Sequence, residues 1–138
     1  MVRENEWDRY EIALLIDAYI QIHINNLTKN KILSELSESL RSIAINKGNI
    51  ISDEYRNLNG IKWQYNYIEN AFENKHTNGH KPSNLFMQMT ILYNFERDLF
   101  NKILKVARME IDIYKAFSQF VFEDLLISPL EFDDYINI

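Results

Sequence analysis

The chain contains no cysteine. That absence excludes a disulfide framework, a thiolate metal centre and a cysteine nucleophile together, and it predicts a cytoplasmic home. Glycine and proline are scarce, with 3 and 2 copies in 138 residues. Strand-rich folds need turn residues about every eight to twelve positions, so the scarcity favours long helices. No run approaches the roughly 18 apolar residues of a membrane span. The first residues, Met1-Val2-Arg3-Glu4-Asn5-Glu6, are charged where a signal peptide would be apolar, and the expectation is a chain neither exported nor embedded. Glycine-rich phosphate loops and internal repeats are also missing.

What is present is apolar and aromatic surface: 46% hydrophobic residues, with 8 Phe, 8 Tyr and 2 Trp. That is enough for one real core, and the length fits one domain. The expected fold is all-α, a compact helical bundle with a helix-turn-helix-like N-terminal part and extended C-terminal helices. A formal charge of -5 argues against a surface that coats nucleic acid throughout. The charge is also unevenly spread. Between residues 41 and 81 six basic side chains face four acidic ones, whereas between 109 and 138 seven acids face Lys115 alone.

Apolar spacing of three and four marks the helices. Ile12, Leu15, Ile16 and Tyr19 predict a first helix opening near Glu6 or Trp7 and closing near Asn25-Asn26. Leu33, Leu36, Leu40, Ile43 and Ala44 predict a second after Thr28, stopped by Gly48. Ser52-Asp53-Glu54 reads as a helix start of a single turn, broken by Asn59-Gly60, which would cap a third helix with Ile61, Gln64 or Tyr65, Ile68 and Phe72 inside. The polar run from Glu73 to Pro82 is a long loop. From Ser83 the residues Leu85, Met89, Leu92, Phe95, Leu99, Ile103 and Val106 form one further apolar row. A straight helix over 83–127 would span about 65 Å, too long for this domain, so a break is expected near Asn94 or Met109. The end, 128–138, reads as a docked tail.

Trp7-Asp8-Arg9-Tyr10-Glu11-Ile12 with Leu14-Leu15 and Tyr19, then Leu36-Ser37, Leu40-Arg41, Ala44 and Gly48, then Tyr55-Arg56-Asn57 with Gly60-Ile61 and Gln64, resembles the helical module that opens many bacterial restriction-type and HNH endonucleases. The likeness covers about residues 7–104, leaving 105–138 as an acidic helical extension and tail. It implies a Myb/SANT-like tri-helix unit and a DNA-associated role in bacterial or phage defence, with Asn59 to Asn70 standing where a recognition helix would. No nuclease module follows, so the resemblance implies no cleavage activity.

If that third helix enters a major groove, Arg56, Asn57, Asn59, Lys62, Trp63 and Asn66 form the contact set. Arg and Asn offer paired donors and acceptors to base edges, and Lys neutralises phosphate. The competing reading is structural: Arg56-Asn57 hold the turn and Trp63 packs on a neighbouring helix. A second functional expectation is a small acidic inhibitor or adaptor, anti-CRISPR-like, that binds a DNA-cleaving nuclease through Glu110, Asp112, Glu123, Asp124, Asp133 and Asp134. Its competing reading is a solvated acidic face.

No catalytic, cofactor-binding or metal site is expected. His76 and His80 have helical zinc spacing, but Thr77 stands where that motif needs a glutamate, and Asn78-Gly79 marks a loop. His23 reads as a hydrogen-bonded boundary residue. Glu110, Asp112 and Lys115 resemble a metal-nuclease set only superficially, because the two acids point about 200° apart on a helix. Ser34, Ser37, Ser39 and Ser42 have no partner base. Phe95, Phe100, Tyr114, Phe117, Phe120 and Phe122 read as core or as a homodimer face through the aromatic C-terminal helices.

Overall fold

The computed structural model describes residues 6–73 and 84–123, with the side chains of 117–123 excepted. Five helices follow one another: α1 (Arg9–His23), α2 (Lys29–Asn46), α3 (Leu58–Glu73), α4 (Asn84–Phe95) and α5 (Arg97–Glu123). No strand occurs among the described residues, and the fold is the all-α bundle that the turn-poor sequence predicts.

Helix α1 is the axis of the bundle and packs against each of the other four. Its run Ile12-Ala13-Leu14-Leu15-Ile16 is buried without interruption. A helix apolar on all sides needs neighbours on all sides, and the bundle supplies them. The helix starts at Asp8, whose carboxylate accepts from the Glu11 amide at 2.8 Å while the Glu11 carboxylate accepts from the Asp8 amide at 3.1 Å. This reciprocal cap satisfies two amides that the first turn would otherwise leave unpaired. Asn26, at φ 55°, reverses the chain toward α2.

Thr28 occupies the N-cap position of α2 but makes no side-chain cap bond. At the other end Gly48, at φ 84°, lets the Asn49 amide reach the Ala44 carbonyl at 3.1 Å and its own amide reach Ile45 at 2.9 Å. These paired bonds close the helix with a left-handed residue that glycine adopts without a Cβ penalty.

Ser52 to Asn57 form hydrogen-bonded turns, with the Tyr55 amide on the Ser52 carbonyl and the Asn57 amide on the Glu54 carbonyl, both at 3.2 Å. Arg41 of α2 donates to the carbonyls of Ser52, Asp53 and Tyr55 and so fixes the segment. Helix α3 begins earlier than its Asn-Gly pair implies. Asn57 is the cap, its side-chain oxygen accepting from the Gly60 amide at 2.8 Å, and Asn59-Gly60 lies within the first turn. Ile61, Tyr65 and Ile68 face inward as the spacing predicts.

Helices α4 and α5 meet at Glu96, so the expected break near Asn94 is present and α5 continues unbroken through Met109. Arg97 locks the joint by donating from Nε to the Tyr93 carbonyl at 2.6 Å, with its guanidinium 3.6 Å from the Tyr93 ring centroid. Among the described side chains of α5 the buried ones are Phe100, Leu104 and Ala107, whereas Phe95 is 80% exposed and Leu99 and Val106 about half exposed, contrary to the single row expected from the sequence.

Candidate interaction surfaces

Arg56, expected at a DNA groove, is 4% exposed. Its Nε lies 2.6 Å from Glu11 Oε2, Nη2 lies 3.2 Å from Glu11 Oε1, and Nη2 also donates to the Glu6 carbonyl. The guanidinium is stacked between the rings of Trp7 and Tyr55, 4.6 Å from each centroid. The buried Ser37 hydroxyl donates to the Arg56 carbonyl at 2.6 Å. A guanidinium enclosed by a carboxylate and two rings is spent on holding the 52–57 segment to α1, and the assignment of Arg56 to a groove is corrected accordingly. Asn57 is engaged as the α3 cap, so it too serves the turn.

The other four members of the set stay together. Asn59, Lys62, Trp63 and Asn66 fall within about 100° of arc on the outer side of α3. Asn59 and Asn66 are exposed, Lys62 is half-buried, and Trp63 is 55% exposed. More than half of the Trp63 side chain is thus open to solvent. Lys62 is the one cation along this helix, which leaves the face polar rather than basic.

The acidic set divides. Glu110 is half-buried and pairs with Lys47 of α2 on the rim of a cleft of about 420 Å³ between α1, α2 and α5. Asp112 is exposed and borders a smaller recess of about 270 Å³ across α5, beside the Arg108–Asp17 pair at 2.7 Å. Two residues on one helix thus face two sides, as their spacing requires, and they do not form one acidic patch. Glu123 ends α5 with its side chain outside the described residues, as are Asp124, Asp133 and Asp134. His76 and His80 also lie outside them.

Aromatic side chains fill the end of the bundle where α1 meets α3. Tyr19 stacks on Phe72 at 4.9 Å and meets the tilted His23 ring at 4.3 Å, and His23 Nε2 lies 3.3 Å from Glu69 Oε2. Tyr65 beneath them is fully buried, and its hydroxyl has no hydrogen-bond partner among the described residues. Burial, then the nearby Glu69 carboxylate, pushes the Tyr65 hydroxyl well above the ordinary phenol range. Among the described residues no group of three His, Asp or Glu side chains could hold a metal ion, and no helix is long and apolar enough to cross a membrane.

The surface that sequence reasoning missed is on α5. Leu99, Val106, Met109 and Ile113 are 47%, 50%, 52% and 66% exposed and share one stripe. Its signal is the seven-residue spacing of 99, 106 and 113, out of phase with the buried 100, 104 and 107. No family model, curated protein or solved structure matches the chain.

Proposed function

We propose that the chain is a non-enzymatic binding module, an adaptor or inhibitor that acts by occupying the surface of a protein partner. The observation that carries this reading is the apolar stripe along α5, four large side chains left about half exposed on a helix whose opposite side completes the core. Side chains of this kind cost solvation in isolation and stabilise a complex when covered. In its inhibitory form the partner is a DNA-cleaving nuclease, which the acidic excess over 109–138 favours because a nuclease channel is basic.

Titrating the chain into DNA-cleaving nucleases tests this form. Inhibition is expected, weakened by Val106→Glu and by ending the chain at Glu123. Full inhibition by both variants would remove the α5 face and the acidic tail as its means.

A DNA-associated role is the second reading, supported by the shared arc of Asn59, Lys62, Trp63 and Asn66. With one lysine on that helix, few counterions are released and affinity is low. A gel shift at two salt concentrations decides it: salt-sensitive binding weakened by Lys62→Ala supports the DNA role, and no shift at low salt removes it.

A further inference from the structure

We infer that the α5 stripe is a self-association seam and that its occupant is α5 of a second copy of the chain, running antiparallel. This rests on the reading of the stripe as a docking face and names the partner.

The geometry begins with a seven-residue register. Leu99, Val106 and Ile113 repeat at one position, while Lys102, Met109 and Ala116 repeat three residues later. All six are exposed. Together they form the two-row pattern by which one helix inserts side chains into the surface of another, over about 26 Å of helix. The inner edge of the stripe is committed to the chain's own bundle, where Glu110 pairs with Lys47. The outer edge carries Asp98, Lys105 and Asp112, again seven apart and all exposed, and neither Lys105 nor Asp112 has an ion-pair partner among the described residues.

Charge on that outer edge selects direction and register. In a parallel pair Lys102 would face Lys102 within the seam, which like-charge repulsion disfavours. Antiparallel pairing removes that clash. It can layer Leu99 on Ala116, Val106 on Met109 and Ile113 on Lys102, and it then sets Lys105 of each copy beside Asp112 of the other. Sliding by seven residues one way puts Lys105 against Lys105, and sliding the other way puts Asp112 against Asp112. Only the unshifted register gives two symmetric attractive pairs, as a twofold axis requires. Lys102 crosses the seam with its aliphatic stem and ends near the same Asp112, so the polar member of the row reinforces the register.

Sedimentation of the full chain at concentrations up to about 300 µM reads the association directly. A dimer is expected, and Val106→Glu converts it to a monomer whose melting temperature matches that of the wild type at dilutions where the wild type is itself dissociated, because Val106 is a surface residue. Lys105→Asp or Asp112→Lys alone places like charges opposite each other and weakens the dimer about tenfold or more. The K105D/D112K double variant restores the wild-type association, which neither a different partner nor a misfolded face would do.

A wild-type chain that stays monomeric overturns self-association while the protein-binding reading stands on its nuclease assay. If a chain ending at Glu123 dimerises and the full chain does not, the occupant is the chain's own tail and the inference fails. Single charge reversals without effect, or a double variant that stays weak, overturn the antiparallel register. If Val106→Glu changes neither sedimentation nor nuclease inhibition, the α5 face is no interface and both readings fall.

Discussion

Arg56 and Glu11 are 45 residues apart in sequence and joined by a 2.6 Å ion pair whose side chains are 2% and 14% exposed. Glu11 serves two structures at once, closing the cap of α1 and neutralising the guanidinium that anchors the segment before α3. The position of α3 on the bundle therefore depends on a carboxylate in the first turn of α1.

Arg56→Ala leaves Glu11 buried without its counter-charge and removes the group stacked between Trp7 and Tyr55. The expected loss is about 3–5 kcal/mol of unfolding free energy, read by urea denaturation. Replacing Arg56 and Glu11 together with Met and Leu is expected to cost much less, since no isolated charge remains. If Arg56→Ala leaves the urea midpoint in place, the pair does not hold the fold.

The buried tyrosines set the alkaline limit. Tyr65, Tyr19 and Tyr55 all have hydroxyls pushed above the ordinary value of 10.0, in each case first by burial. Above that pH the unfolded chain releases tyrosine protons that the folded chain retains, so stability is full below about pH 10 and falls as pH rises beyond it. Tyr65→Phe removes the largest of these contributions. It also deletes a buried hydroxyl that has no partner among the described residues, so at neutral pH the variant is expected to match the wild type or exceed it by up to about 1 kcal/mol. Urea midpoints at pH 8 and pH 11 check the sign: the variant's advantage should grow with pH.

How much of this was legible follows from which residues speak locally. The end of α2 was readable because one residue, Gly48, carries its geometry, whereas α1 opens at the Asp8–Glu11 cap, one to two residues after the Glu6 or Trp7 start that apolar spacing suggests. The three-and-four spacing located the inner faces of α1, α2 and α3. It does not separate the faces of α5, because that helix carries two apolar rows one residue apart, Leu99, Val106 and Ile113 beside Phe100, Leu104 and Ala107, and packing alone decides which of them is buried. For Arg56 the sequence offers two readings, a groove contact and a brace of the turn, and the structure shows the second. Nothing local to Tyr55-Arg56-Asn57 reveals a carboxylate 45 positions earlier, and a surface arginine and a clamped one look alike in sequence. Asn59-Gly60 misled because that pair signals a turn, while Asn57 had already capped the helix.

The two glycines with described surroundings provide a paired test of backbone against packing. At Gly48 a Cβ would meet nothing within 4 Å, but φ is 84°, a conformation that L side chains rarely adopt. Gly48→Ala is therefore expected to destabilise by about 1 kcal/mol through the backbone alone. At Gly60 the backbone is helical, and a Cβ would sit 3.1 Å from the Asn57 side-chain oxygen that caps α3. The alanine's helix propensity, worth up to about 1 kcal/mol, is offset by displacing that cap, and the net change should lie near zero. In the Asn57→Ala background the oxygen is gone and the offset vanishes. Gly60→Ala should then stabilise by most of its propensity term, so thermal melts of the four chains separate the two effects. Equal gains from Gly60→Ala with and without Asn57 would mean that the capping oxygen is not what the Cβ meets.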